Sequence, residues 1–278
     1  MMSMEIYSSI ETGFRMIRKV LTMPELVRPN QEVTLSDQCY RFENVSFSYE
    51  KGIEVLHDIN FEVKPNSVFA IVGESGSGKS TIAKLMAGFF DADAGTIYFG
   101  DQDVKNIPTA QLMKRVAYVA QDNFLFDTSI RENLKIAKAD ATDEEIQKAL
   151  KAANCLELIE RLPEGLNSNA GDCGKFLSGG ERQRITLARA MLADAQCIIL
   201  DEATAYADVE NEAKIQEALS RLMKDKTLIV VAHRLNTIVG ADQIMVLAHG
   251  KIESIGTHKE LIQNSSAYQK LWQSYSGK

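Results

Sequence analysis

The chain has 278 residues, 45% of them apolar and 25% charged, enough for one large domain or two small ones around a buried core. Its net charge of −7 argues against a broad nucleic-acid footprint, which needs a basic face. Cys39, Cys155, Cys173 and Cys197 are scattered with no C-x-x-C pair, which favours free thiols in a reducing compartment over a disulfide frame or a zinc site.

No apolar run approaches the roughly 18 residues that a membrane helix needs. The N-terminus also lacks the apolar segment and small-residue cleavage site of a signal peptide. The expectation is a chain that works in the cytosol.

Residues 1–23 carry Ile6, Ile10, Phe14, Ile17 and Leu21 at spacings of four, four, three and four, with Arg15, Arg18 and Lys19 on the other faces. Such a stripe predicts a helix. It fits a helix packed on its own domain, and equally a tail continuing from something else. Pro24 and Pro29, with polar residues around them, predict a linker to about residue 37. Tyr40, Phe42, Val45, Phe47 and Tyr49 nearly alternate, as do Ile59, Phe61 and Val63, with a turn at Glu50-Lys51-Gly52 between. This predicts antiparallel sheet ahead of a parallel core.

Val68–Val72 is an apolar run of strand length, followed by Gly73-Glu74-Ser75-Gly76-Ser77-Gly78-Lys79-Ser80-Thr81 and then by Ile82, Leu85, Met86 and Phe89 at helical spacing. Short strands are expected at Gly95–Gly100 and Val116–Ala120, the latter ending at Gln121. From about 127 to 176 the pattern turns helical, with a capping box at Thr142-Asp143-Glu144-Glu145. A long helix opens at Leu177-Ser178-Gly179-Gly180-Glu181. Cys197–Leu200 and Thr227–Ala232 read as buried strands, with a helix capped by Asp208 between them. Two strands, 244–248 and 251–255, flank a turn at His249-Gly250. Thr257 with Glu260 caps the next helix, and the last helix sets Tyr268, Leu271, Trp272 and Tyr275 on one face.

A strand, a glycine-rich turn and a helix N-terminus are the setting in which G-x-x-x-x-G-K-[ST] becomes a phosphate site. Glycines let successive N–H groups point into one concavity, and the helix dipole adds positive potential. Lys79 supplies a cation for the β- and γ-phosphates, and Ser80 a hydroxyl for Mg²⁺. Asp201 and Glu202 stand at the end of an apolar strand, where parallel sheets place ligands. Beside a phosphate loop, Asp201 is placed to hold Mg²⁺ through water and Glu202 to polarise a water in line with the γ-phosphate. Leu177–Glu181 has two readings. Ser-x-x-Glu is itself a capping box, and two glycines with Ser178 at a helix N-terminus also make a second anion site. One chain cannot easily bring that site and the phosphate loop to one phosphate, whereas a second copy could.

Together these motifs resemble the nucleotide-binding domain of an ABC transporter, most closely the exporter-fold group, over roughly residues 38–275. Gly73–Thr81 is similar to Walker A, Leu177–Glu181 to the family signature, and Leu200-Asp201-Glu202 to Walker B with its catalytic glutamate. The resemblance implies that Tyr49 stacks on adenine and that Gln121 meets Mg²⁺ and signals to a membrane part. It likewise implies that Asp208 lies in the loop joining two nucleotide sites, and that His233 contacts the γ-phosphate. The implied fold is an α/β P-loop NTPase (RecA-like) core with an antiparallel β subdomain and an inserted helical subdomain at about 124–195. Residues 1–37 are then an N-terminal helix and linker from a transmembrane region, and residues 38–278 the ATP-binding domain. The implied partners are a second nucleotide-binding domain and a transmembrane domain, with no nucleic acid, at the cytoplasmic face of a membrane. ATP and Mg²⁺ are the implied ligands, with Glu202, His233, Lys79 and Gln121 serving catalysis.

Two departures stand out. Ala205-Tyr206-Ala207-Asp208 replaces the commoner Ser-Ala-Leu-Asp, and Gly171-Asp172-Cys173-Gly174 the commoner Gly-Glu-Arg-Gly. The first resembles exporter-fold transporters linked to siderophore uptake. DNA-repair ATPases of the same superfamily insert a long coiled coil where only residues 122–176 stand here, and translation-type members carry two cassettes.

Overall fold

The computed structural model describes residues 2–22, 26–35, 40–50, 52–201, 226–232 and 235–276. Its centre is a six-stranded sheet in the order β10-β9-β3-β8-β7-β6. β3 (Val68–Val72), β6 (Val116–Val119), β7 (Cys197–Asp201), β8 (Thr227–Val231) and β9 (Gln243–Ala248) run parallel, and β10 (Lys251–Gly256) closes the edge antiparallel to β9. Every residue of β7 is buried, as are four of the five in β3. Helices cover both faces of such a sheet, so its strands are continuous apolar runs instead of alternating ones.

A second sheet, in the order β2-β1-β4-β5, is antiparallel. β1 (Tyr40–Glu50) pairs with β2 (Ile53–Val63) and with β4 (Ala94–Phe99), and β5 is the short Gln102–Asp103. Its alternating side chains put Tyr40, Phe42 and Phe47 inward. Phe42 stacks on Phe61, which stacks on Phe69 of β3 with ring centroids 5.4 Å apart. The two sheets therefore share one core, to which each fully buried aromatic or aliphatic chain contributes about 1.5–3 kcal/mol.

Helix α2 (Lys79–Met86) follows the glycine loop and packs against β7 and β8. The expected helix through Phe89 stops short, because Gly88 has φ +72° and a Cβ there would meet Leu112 at 2.7 Å. Phe89 emerges exposed beyond the helix end. After α3 (Thr109–Arg115) and β6 come α4 (Ile130–Lys135), α5 (Asp143–Ala152) and α6 (Leu156–Arg161), joined by short turns as the helical pattern predicts. α7 (Gly179–Leu192) contacts α4, α5 and β6. Both α5 and α7 open on complete capping boxes. α8 (His258–Asn264) opens on a third, and α9 (Ser266–Ser276) seats Tyr268, Leu271 and Trp272 against the outer face of β3 and β9. The side chain of Tyr275 and the helix expected after Asp208 lie outside the described residues.

Helix α1 (Met2–Leu21) forms as the stripe predicts, but the described side chains of that stripe are exposed instead of packed on this domain. Ile10, Phe14, Ile17 and Leu21 are 50%, 70%, 58% and 80% exposed. The segment after it is no loose tether. Arg28 makes a two-pronged ion pair with Asp91 at 2.7 and 3.1 Å. The Gln111 amide binds both backbone groups of Val33, as a neighbouring strand would. Among the described residues no helix is long and apolar enough to cross a membrane.

Candidate functional site

The C-terminal ends of β3, β8, β7 and β6 lie side by side, with Ile71 level with Val231, Val231 with Asp201, and Leu200 with Val119. Residues that leave these four strands must meet along one edge, the edge that binds ligands in open α/β sheets.

The loop from Gly73 to Gly78 fills the end of β3. Its turns need glycine for steric reasons. Gly73 has φ +155° and a Cβ there would lie 2.1 Å from the Leu247 carbonyl, while Gly78 has φ +104° and would meet Leu56 at 2.7 Å. The β9–β10 turn braces the loop, since the Gly250 N–H donates to the Ser77 carbonyl at 3.1 Å. Glu74, Ser75 and Gly76 are exposed, whereas Ser77 is buried. Among the described residues no side chain caps the first turn of α2, which leaves its amides open to an anion.

Lys79 is only 4% exposed, and its ammonium donates to the carbonyls of Gly73 at 3.0 Å and Glu74 at 2.8 Å. Ser80 Oγ donates to Asp201 Oδ1 at 2.8 Å, across 121 residues of sequence. Asp201 is itself 4% exposed. The Ser77 hydroxyl is buried and has no hydrogen-bond partner among the described residues. An orphan buried hydroxyl fits a ligand that brings acceptors, and the hydroxyl–carboxylate set at Ser80 and Asp201 fits a hard, oxygen-seeking cation such as Mg²⁺.

Tyr49 stands over this loop. Its hydroxyl lies 3.2 Å from Thr81 Oγ1, and its ring makes edge contacts with Phe47 and Phe90 at 4.9 and 5.3 Å. The ring is 47% exposed and borders a cavity of about 340 Å³ that also touches Ser75, Lys79 and Ser80. Another cavity, of about 280 Å³, lies where β7 and β8 begin, at the other end of the strands, beside Lys138, Asp194 and Lys226. Those two lysines are already paired, with Glu145 and Asp194 respectively.

One further group joins the cluster without any motif to announce it. The Tyr118 hydroxyl donates to Asp201 Oδ2 at 2.7 Å. Burial and then the Asp201 hydrogen bond push its phenol far above the usual range, so it remains a donor. The only hint in the sequence is a polar tip on an otherwise apolar strand, three residues before Gln121. Gln121 itself is exposed, and its backbone carbonyl accepts from Asn123. Its side chain is not part of the Ser80–Asp201 cluster.

Ser178, Gly179, Gly180 and Glu181 form the N-terminus of α7. Ser178 Oγ accepts from the Glu181 N–H at 3.3 Å, and the Glu181 carboxylate accepts from the Ser178 N–H at 2.8 Å. The capping-box reading of this motif is thus realised within one chain. Arg161 of α6 also donates to Glu181. Burial raises the Glu181 pKa, but the Ser178 amide and hydroxyl, with Arg161, outweigh it and hold the carboxyl below its usual range. Among the described residues no contact joins this motif to the Lys79–Asp201 cluster. Glu202, Asp208 and His233 lie outside the described residues.

Comparison with known proteins gives four findings. A family model described as ABC transporter matches residues 56–205. A mycobactin import ATP-binding/permease protein, IrtA of Mycolicibacterium smegmatis, is 47% identical over 232 residues, covering 84% of this chain and 27% of that protein. A putative multidrug export ATP-binding/permease protein, YgaD of Bacillus subtilis, is likewise 47% identical over 232 residues, 83% of this chain and 40% of its own. The solved structure of a bacterial Atm1-family ABC exporter with ATP bound superposes with a TM-score of 0.88 at 33% identity, over 98% of this chain and 48% of that one. The chain spans less than half the length of each of these relatives.

Proposed function

The chain belongs to the ABC transporter family and has its P-loop NTPase fold; on that premise we propose that it is the ATP-hydrolysing part of a transporter, paired with a second such domain and joined to a transmembrane domain at the cytoplasmic face. The observation that supports this most is the meeting of Lys79, Ser80 and Asp201 at the strand ends, 2.8 Å separating the last two. In this reading residues 1–37 lead from a membrane region, residues 38–278 are the cassette, and about 124–195 its helical subdomain.

Tyr49 offers a face for adenine, and the open amides of the Gly73–Gly78 loop and α2 bind phosphate oxygens. Lys79 exchanges the Gly73 and Glu74 carbonyls for the β- and γ-phosphates. Ser80 and Asp201 would hold Mg²⁺, joined by Gln121 only if its exposed side chain turns toward them; the bound ion would neutralise charge developing on the phosphate oxygens. Glu202 orients the attacking water and accepts its proton, and His233 stabilises the γ-phosphate. Ser178, Gly179, Gly180 and Glu181 of the facing copy close the site, with Asp208 between the two. Pairing and separation of the cassettes would then drive the membrane part between its two orientations.

The relatives' names give the transporter no single cargo: mycobactin import and multidrug export accompany equal identity. Both names pair the ATP-binding part with a permease, and cargo choice in this reading belongs to the permease. The test of the reading is Glu202→Gln. It should form a dimer with ATP and Mg²⁺ in size-exclusion chromatography while losing turnover; hydrolysis at the wild-type rate would defeat the assignment.

A further inference from the structure

Tyr118 touches the phosphate site from β6, a strand that carries none of the phosphate-loop or acidic residues. Its hydroxyl and that of Ser80 take one carboxylate oxygen each of Asp201, at 2.7 and 2.8 Å. A carboxylate's terminal torsion is broad and two-fold, so one hydrogen bond leaves the group free to swivel. Donors on both oxygens, from two different elements, leave it one orientation. The Tyr118 ring is held in turn. It meets Phe89, just past the end of α2, edge to face at a centroid distance of 5.1 Å and an angle of 73°. Its backbone is registered to β7, level with Ile199. The phenol thus hangs between the helix that starts at the phosphate loop and the strand that ends at Asp201.

We propose that Tyr118 is a positioning residue for the cation side of this site: it fixes the Asp201 carboxylate so that one oxygen faces the Mg²⁺ held beside Ser80, an inference that rests on the function proposed above. Ser80 must turn its hydroxyl oxygen to the cation when one binds. Tyr118 is then the contact that keeps Asp201 in place through the exchange, and preorganised donors cost less to recruit.

Tyr118→Phe deletes the hydroxyl and keeps the ring against Phe89. Binding of a fluorescent ATP analogue would be titrated with Mg²⁺ by anisotropy, both proteins carrying Glu202→Gln so that nothing is consumed. We expect equal affinity in EDTA, and a Mg²⁺ requirement for half-maximal metal-dependent binding raised about tenfold, the scale of one hydrogen bond to a charged group. An unchanged or lowered requirement overturns the inference. The same measurement on Asp201→Asn and on the double variant completes a cycle. With Asp201 altered, Tyr118→Phe should add nothing, whereas an additive effect would mean that Tyr118 acts elsewhere and would also overturn the inference. If the Glu202→Gln reference itself shows no metal-dependent nucleotide binding, it is the proposed function that fails.

Discussion

Asn133 is wholly buried in α4, where its intrinsic helix propensity is poor, and its side chain serves the backbone of the loop before that helix. Its Oδ1 accepts from the Phe126 N–H at 2.8 Å and from Arg189 at 3.1 Å, while its Nδ2 donates to the carbonyls of Phe126 at 3.0 Å and Ser129 at 3.1 Å. Arg189, on α7, also donates to the Asn133 carbonyl at 2.9 Å and the Phe124 carbonyl at 3.3 Å. The side chain therefore ties the segment just after Gln121 to the helix that begins with Ser178. Asn133→Ala orphans the Phe126 N–H, leaves the Phe126 carbonyl only the Thr128 N–H as donor, and strips Arg189 of one acceptor. At about 1–3 kcal/mol for the stranded N–H, with a smaller part for the acceptor that Arg189 loses, the loss should be about 2 kcal/mol. For a domain of this size that is a fall in Tm of roughly 4–8 °C, read by calorimetry. Asn133→Asp keeps the acceptor for Phe126 and Arg189 while losing both donations, and should fall between. A loss for Asn133→Ala under about 1 kcal/mol would refute the reasoning, because water would then be satisfying the segment.

Arg161 neutralises a carboxylate at the end of α7 that faces an incoming phosphate in the proposed pair. Arg161→Glu should weaken ATP-dependent dimerisation in the Glu202→Gln background, and Arg161→Lys should preserve it. Because Arg161 is 69% exposed the effect should be a few-fold, under about 1 kcal/mol; equal dimer fractions for the charge reversal would contradict it. The capping glutamates make an acid-sensitive set. Glu145 is held below the ordinary 4.5 first by Lys138 and then by the Thr142 amide, Glu260 first by the Thr257 amide, and Glu181 as described above. Their folded pKa values are below the unfolded ones, so their contribution is complete above about 4.5 and is lost as the pH falls through the lowered values. Urea-unfolding free energies measured down the pH scale should drop below that point, less steeply in Glu145→Gln; a flat profile would count against the caps. Among the described cysteines, Cys173 is exposed whereas Cys155 and Cys197 are buried, burial pushing the Cys155 thiol up to about 12. A thiol reagent on the native chain should label Cys173 and spare the other two by peptide mass spectrometry, and equal labelling of Cys155 would show that the core around it opens.

What the sequence determined by itself is what the backbone decides within a few residues. The glycine loop before Lys79 and Ser80 was legible because a strand, a tight turn and a helix start follow one another in the chain. The caps at Thr142, Ser178 and Thr257 were legible because a hydroxyl and a carboxylate three residues apart satisfy helix-end amides locally. The apolar stripe of α1 is legible as a stripe, though not the exposure of its described residues Ile10, Phe14, Ile17 and Leu21, since a periodic pattern records that a face is apolar and says nothing of what covers it. Only the tertiary structure brought Tyr118 to Asp201, Asn133 to Arg189 and Gln111 to Val33, contacts that span 83, 56 and 78 residues. Strand register and helix packing decide those meetings. Each depends on where a whole element comes to rest in the sheet, a long-range outcome that no short window of residue types encodes.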